Sequence, residues 1–497
     1  MTAAALPIPV VSSPIDCRHL IGGVWREGEP GTALEVHSPY TGALIGRVPQ
    51  ASSQLCDEAV RAAHKAFEGW RRTPIKERCQ ILFLYRELML KSLDEIAQIA
   101  AAEAGKTLEE ARAGILKGLE VTEFALSLQN MEQGASLEVS RGVTCQMQRE
   151  PLGVVCGITP FNFPAMVPMW MFPIALALGN CFVLKASEKV PLTSQRMAAC
   201  LIQAGLPPGV FSLINGKAET AAALIDHPLV RALAFVGSTP VARSVYQRAT
   251  HHGKRALCLG GAKNLLILAP DADPAFTVRG IVDSFTGCAG QRCMAASLLI
   301  AVGDVDAILD KVIEEAQKLS LGQQMGAIID KAALDRMHRI IAGAVSAGAR
   351  LRLDGRTVSP PPGCEGGFWL GPTIIDGVSP EMECAKVEIF GPVLTILRVK
   401  HLSEALAIDA QNGFGNATSV FTSSGAVARL VAAESTSGMI GVNIGVPVPR
   451  EPFSFGGTKD SKFGACDITG ESAVEFWTQH KKVTSKWAPQ QDRNWMS

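Results

Sequence analysis

The sequence predicts an α/β protein in three parts: a doubly wound parallel sheet, a second α/β unit and a small β arm. Three observations carry this. Short apolar strands alternate with helical stretches from Leu152 onward, a rhythm that buries strands between layers of helices. A second series of the same kind runs from Asn264 to about Asn443. Between the leading helices and the first series, residues 136–150 alternate in a strand-like way about Arg141-Gly142. At 497 residues and 47% hydrophobic content, the chain exceeds what one core supports, so two or three domains are expected.

Helices come first. Val60, Ala63, Phe67 and Trp70 recur at helical spacing, as do Ile81, Leu84, Tyr85 and Leu88, with Thr73-Pro74 starting the second helix. A third helix runs from about Thr107 to Ser127. The hairpin that follows is either a protruding arm used in subunit pairing or an internal edge hairpin. Next come the strand LGVVCGI (152–158), the loop TPFNFP, a helix ending at Gly179, the strand CFVLK (181–185), the loop ASEKVP and a helix ending at Gly205. Strands FSLI (211–214), ALAFV (232–236) and ALCL (256–259) continue the series. Such regular alternation is Rossmann-like, of the nucleotide-binding sort. The turn-rich SPPPGCEGG (359–367) reads as a surface loop.

Composition narrows the function classes. Lys+Arg and Asp+Glu both number 47, so no net charge draws the chain to nucleic acid or acidic membranes. The 13 cysteines show no CxxC pairs, which signals neither a metal module nor a disulfide scaffold and fits a reduced cytoplasm. The N-terminal stretch 1–19 has no basic n-region and is broken by prolines, so it reads as a surface arm. Residues 151–184 carry no charge, a length that could span a bilayer. Pro160, Pro164, Pro168 and Pro173 cut that run into pieces too short for a spanning helix, and a doubly covered parallel sheet explains the same apolarity.

Val278, Ile281, Val282 and Phe285 form one apolar helix face, after which Gly287 and Gly290 break the helix. Cys293 therefore lies on a loop, ahead of the strand SLLIAV (297–302). A nucleophile suits that position, as does an inert buried cysteine.

GCAGQRC (287–293), together with PFNFP (160–164), KASE (185–188), FVGST (235–239), LGGAKN (259–264) and EIFGPV (388–393), resembles the aldehyde dehydrogenase superfamily across nearly the whole chain, in family order. The resemblance implies that Cys293 is the thiolate that attacks an aldehyde carbonyl and later carries a thioester. It implies that Asn162, with the Cys293 N–H, donates to the oxyanion; otherwise Asn162 is a loop asparagine bonding its own backbone. No GxGxxG fingerprint is present. The family's own version places Gly237 and Ser238 at the opening of a helix, where the pyrophosphate would sit. Lys185 and Glu188 would meet ribose hydroxyls, favouring NAD. Family position adds Thr159, Phe161, Lys189 and Gly260 along the cofactor, with Glu388 and Phe390 at the nicotinamide end.

Hydrolytic members carry a glutamate directly before Leu-Gly-Gly; here Cys258 stands there. Water without a base is a poor nucleophile, whereas a thiol with a pKa near ~8.5 supplies some thiolate unaided. Coenzyme A is therefore expected as acyl acceptor, unless a glutamate elsewhere serves as base. Cys258 itself is either reactive or a buried packing residue. LGGAKN, PAMVPMWMFPIALALGNCFVLK and FTGCAGQRCMA are most similar to the acylating methylmalonate-semialdehyde dehydrogenase branch, whose members release acetyl- or propionyl-coenzyme A with loss of CO2. Arg292 matches that branch and would hold the substrate carboxylate, or else makes a structural ion pair. A second branch arginine appears here as Lys117, which keeps the charge and loses the bidentate fork.

The expected division is 1–136, 151–259 and 444–468 for the NAD-binding domain, 260–443 for the catalytic domain, and 137–150 with 469–497 for an oligomerisation arm. A homo-oligomer, dimer or tetramer, is implied by the resemblance. The rival readings are a hydrolytic dehydrogenase releasing a free acid and a non-catalytic NAD-binding oligomer.

Overall fold

Five parallel strands form the centre of the first sheet. In the computed structural model, which describes residue 9 and residues 11–131 and 134–487, Val154–Ile158 lies in the middle. Cys181–Lys185 and Phe211–Ile214 extend the sheet on one side, Val230–Val236 and Arg255–Leu259 on the other. All four pairings are parallel, with Gly157 opposite Leu184 on one flank and Ala234 on the other. The order of strands thus reverses beside Val154–Ile158, and the loops leaving the carboxyl ends there diverge and open a crevice. Antiparallel edges close the sheet: Lys462–Phe463 at one side, and His19–Ile21 with Val24–Arg26 at the other.

The second sheet is also mostly parallel, in the order Arg350–Leu353, Thr373–Asp376, Val393–Val399, Ala296–Val302, Asn264–Leu268, Ala417–Phe421, Met439–Val442. Only the Arg350–Leu353 edge is antiparallel. A third, three-stranded sheet joins Gly134–Ser140 and Val143–Pro151 to Thr478–Lys486. The hairpin is therefore completed by the far end of the chain and joins neither large sheet as a strand. The fold is the mixed α/β architecture expected.

Local sequence explains why the elements form. The helix Ser53–Trp70 is capped by the Ser52 hydroxyl, which accepts from Leu55 N–H, and buries Cys56, Val60, Ala63 and Phe67 at three- and four-residue intervals. Thr107 and Glu110 make a reciprocal capping box at the start of Leu108–Ser127. The charge-free run resolves into a strand, a loop, the helix Met166–Ala177 and another strand. Every residue of that helix is buried, and no helix among the described residues is long and apolar enough to cross a membrane. Pro173 stands inside this helix; close packing all round keeps it continuous where a proline break was expected.

Two expectations need correction. Residues 1–8 and 10 of the supposed N-terminal surface arm lie outside the described residues, but its end is no surface arm. Ile15–Asp16 pairs parallel with Leu44–Val48, Cys17 and His19 are buried, and Nδ1 of His19 accepts from the Asn215 N–H. A two-residue strand is too short to display alternation in the sequence. The 359–367 segment is a loop, yet not purely superficial: Cys364 is buried and its carbonyl accepts from the indole of Trp369. Residues 488–497, part of the expected arm, lie outside the described residues.

Candidate active site

The carboxyl ends of the first sheet supply one half of the site. Thr159 follows the central strand directly, and its N–H donates to Lys185 O at 3.2 Å. Lys185 ends the next strand, buried, with Nζ donating to Glu188 at 3.1 Å. Burial lowers the Lys185 ammonium. Burial also acts to raise Glu188, but the charges and hydrogen bonds it meets, Lys185 foremost, hold it below its ordinary range. Gly237 N–H donates to Leu259 O, and Ser238 starts the helix Thr239–His251 without its hydroxyl capping it. The first turn thus presents open N–H groups, the setting that receives a phosphate. Gly260 donates to Ser461 O at 2.9 Å. A Cβ there would stand 2.7 Å from Thr239 Oγ1 and 2.8 Å from Asp460 O, so the close approach requires glycine.

The amino ends of the second sheet supply the other half. The helix Pro274–Thr286 ends on schedule and passes into a short turn where Cys288 and Ala289 both adopt left-handed backbone, φ +55° and +50°. Gly290 also has positive φ, and a Cβ on it would come within 2.0 Å of Gly391 O. The nucleophile loop therefore lies directly on the 388–392 segment. Gln291 pins it further, its amide donating to Ala327 O and accepting from Ile329 N–H.

Cys293 is half-buried, and its carbonyl is gripped by two side-chain amides: Asn264 Nδ2 at 2.7 Å and Asn416 Nδ2 at 2.9 Å. Burial, then the charge of Glu388, push its thiol up to about 12, with Arg292 and Lys106 pulling the other way. Because the residue is only half-buried, that push acts in full only when the cleft is dry. Asn162 is buried; the neighbouring Phe163 packs on the same core as Cys293. The loops carrying the two expected catalytic residues are thus joined through one core.

Glu388 closes the gap between the halves. Its carboxylate accepts from Ala262 N–H at 3.0 Å and lies so close to Gly261 that a Cβ there would be 2.4 Å away. Burial raises it to about 7. Phe390, at φ +57°, meets the Phe161 ring edge-on at 5.8 Å. Lys189 pairs with Asp330 at 2.6 Å and lies over Phe161. Phe161, Lys189, Asp330 and Phe390, with Arg336, line a cleft of about 620 Å³ including its open mouth. Arg336 donates to the carbonyls of Glu388 and Ile389, at 3.0 and 2.6 Å, and so fixes that segment.

The remaining expected residues are placed differently. Arg292 folds back over Gly287, and its guanidinium donates to the carbonyls of Asp283 and Ser284 at the end of its own helix. Its Nε is buried without a partner. Lys117 is already matched by Glu120 at 2.7 Å and Glu451 at 3.4 Å. Among the described residues the two cations share no partner. Cys258 is fully buried in its strand between Phe235 and Phe463, and burial pushes its thiol up to about 12, which is the packing reading. Sequence reasoning gave no role to Asn264, Asn416, Arg336 or Lys106. Lys106 is buried, with its ammonium 3.7 Å from the Phe163 ring centre. Among the described residues no group of His, Cys, Asp and Glu could hold a metal ion.

The family model described as the aldehyde dehydrogenase family matches residues 25–483. Malonate-semialdehyde dehydrogenase 2 of Geobacillus kaustophilus is 41% identical over 478 residues, covering 95% of this chain and 98% of the relative. A solved methylmalonate-semialdehyde dehydrogenase of Oceanimonas doudoroffii superposes with TM-score 0.94 at 39% identity, covering 96% of this chain and 99% of that one. A protein of Sinorhizobium meliloti 1021 assigned as a methylmalonate-semialdehyde dehydrogenase, solved in complex with NAD, gives TM-score 0.94 at 37% identity and the same coverage.

Proposed function

The chain belongs to the aldehyde dehydrogenase family, and from that premise we propose that it oxidises malonate or methylmalonate semialdehyde with NAD and coenzyme A, releasing acetyl- or propionyl-coenzyme A and CO2. Cys293 adds to the aldehyde carbon, and the amide of Asn162 with the Cys293 N–H stabilises the oxyanion. Two amides on the Cys293 carbonyl hold the sulfur in place through this addition. NAD, when bound, supplies the hydride acceptor. Gly237, Ser238 and Gly260 would receive its pyrophosphate, Lys185 and Glu188 a ribose, Thr159 and Lys189 the adjoining path, and Phe161, Glu388 and Phe390 the nicotinamide end. The uncapped helix start fits such a ligand.

The observation that carries the choice of acceptor is position 258. A fully buried cysteine on a strand cannot take a proton from water, whereas a thiol acceptor needs no such help. The names of the relatives support a substrate with a carboxylate. Arg292, whose charge bears on Cys293 and whose Nε has no partner, is the better placed cation to receive it, whereas Glu120 and Glu451 offset the charge that Lys117 would bring. A second reading rests on Glu388: a buried carboxylate raised to about 7 could activate water and make the enzyme hydrolytic.

NADH production measured with malonate semialdehyde, methylmalonate semialdehyde and propanal, with and without coenzyme A, separates these. Sustained turnover without coenzyme A would establish the hydrolytic route. Equal activity on propanal would remove the carboxylate role of Arg292.

Further proposals concern assembly. We take residues 1–136, 151–259 and 444–468 as the NAD-binding domain, 260–443 as the catalytic domain, and the 137–150 hairpin with the 469–497 tail as an arm that pairs copies into a dimer or tetramer. Leu137, Val139, Val483 and Trp487 support this, since they leave 42–83% of their surface exposed on the three-stranded sheet and the residue that follows it. A cytoplasmic setting suits thirteen free cysteines.

A further inference from the structure

The geometry points to Cys288 and Lys106 as an oxidation-sensitive pair that a hydroperoxide closes into a covalent sulfur–nitrogen bond. Nζ of Lys106 donates to Sγ of Cys288 at 2.9 Å, across 182 residues of sequence. Both side chains are buried. Among the described residues Lys106 takes part in no ion pair; its ammonium is held between the sulfur and the face of Phe163. Cys288 is locked toward it by left-handed backbone and by its N–H donating to Glu110 Oε1 at 2.5 Å. Among the hydrogen bonds to cysteine sulfur in the described residues, this is the one with a primary amine. Cys200 faces the guanidinium of Arg196, which is no nucleophile, and Cys56 and Cys79 face backbone carbonyls. A lysine beside a thiol is a setting in which cysteines react, and no step proposed for Cys293 consumes either group.

The chemistry balances with hydrogen peroxide as oxidant. The Cys288 sulfur attacks the peroxide, the O–O bond breaks, the sulfur gains a hydroxyl as sulfenic acid, and the second oxygen leaves as water. The Lys106 ammonium first gives one proton to solvent, and the freed lone pair of its nitrogen bonds to sulfur as the S–O bond breaks. The departing hydroxyl takes a second proton from that nitrogen to form water. Sulfur loses two electrons and the peroxide gains them. The product ties the start of the Leu108–Ser127 helix to the loop that carries Cys293, and removes a positive charge that bears on the nucleophile.

Full-length Cys293→Ala protein, which cannot spend peroxide on its nucleophile, is treated with hydrogen peroxide, digested and analysed by mass spectrometry. The expected result is one species joining the Lys106 and Cys288 peptides, lighter than their sum by two hydrogens and released by dithiothreitol. It is absent after Lys106→Arg or Cys288→Ser. Unmodified Cys288, Cys288 oxidised to sulfinic acid beside a free Lys106, or Cys288 in a disulfide would each overturn the proposal.

Discussion

The two large sheets meet at opposite ends of their strands. Thr159, Lys185, Gly237 and Gly260 all leave carboxyl ends in the first sheet, whereas Cys293, Asn264, Asn416 and the 388–390 segment all stand at amino ends in the second. Carboxyl ends of parallel strands lead into helix starts, so the first edge offers backbone N–H groups to an anion. Amino ends offer no such field. There the nucleophile is held by side-chain amides and by glycine packed against backbone. One edge is built to bind and the other to hold an atom still, so substitutions at the two should separate in kinetics.

The largest break should come at the amino-end side. Cys293→Ala is expected to lower kcat by about 10⁴-fold or more, because the loop's other thiol, Cys288, is buried against Lys106; NADH production at saturating dinucleotide measures it, and an active variant would remove the nucleophile assignment. Asn162→Ala comes next, with a loss of roughly 10²–10³ in kcat and little change in substrate KM. Gly260→Ala should act on the binding edge. The added Cβ meets Thr239 Oγ1 and Asp460 O, so the KM for NAD should rise about tenfold while kcat changes less. The reverse pattern would mean that the two edges are not separable.

The smallest effect sharpens the link between the halves. Glu388 raises the Cys293 thiol through its negative charge, so Glu388→Gln should lower that thiol. The sign runs toward more thiolate at a given pH, and alkylation of Cys293 by iodoacetamide at pH 8 should be about threefold faster. In wild type the Glu388 effect should appear only as pH rises through about 7 and the carboxyl ionises. A slower reaction in the variant would reverse the electrostatic assignment.

The binding edge was readable because strand, loop and helix alternate, and each carboxyl end falls where the pattern changes. The other edge was readable only at Cys293, where Gly287 and Gly290 announce a loop and the motif supplies the role. Its supports come from far away: Asn416 reaches Cys293 across 123 residues, and Arg336 reaches Glu388 across 52. No local periodicity encodes such contacts. Arg292 was legible as a cation and not as the cap of its own helix, because the turn through Cys288 and Ala289 that bends it back is left-handed at residues that seldom adopt it. The N-terminal strands, two to five residues long, escaped for want of length.

The amides on the Cys293 carbonyl come from Asn264, which begins one strand, and Asn416, which immediately precedes its neighbour. Heating cannot loosen the nucleophile by fraying the loop alone, since both grips belong to the interior of a seven-stranded sheet. Thermal inactivation should therefore wait for the sheet itself to melt, so that catalytic half-life and loss of secondary structure follow one temperature curve.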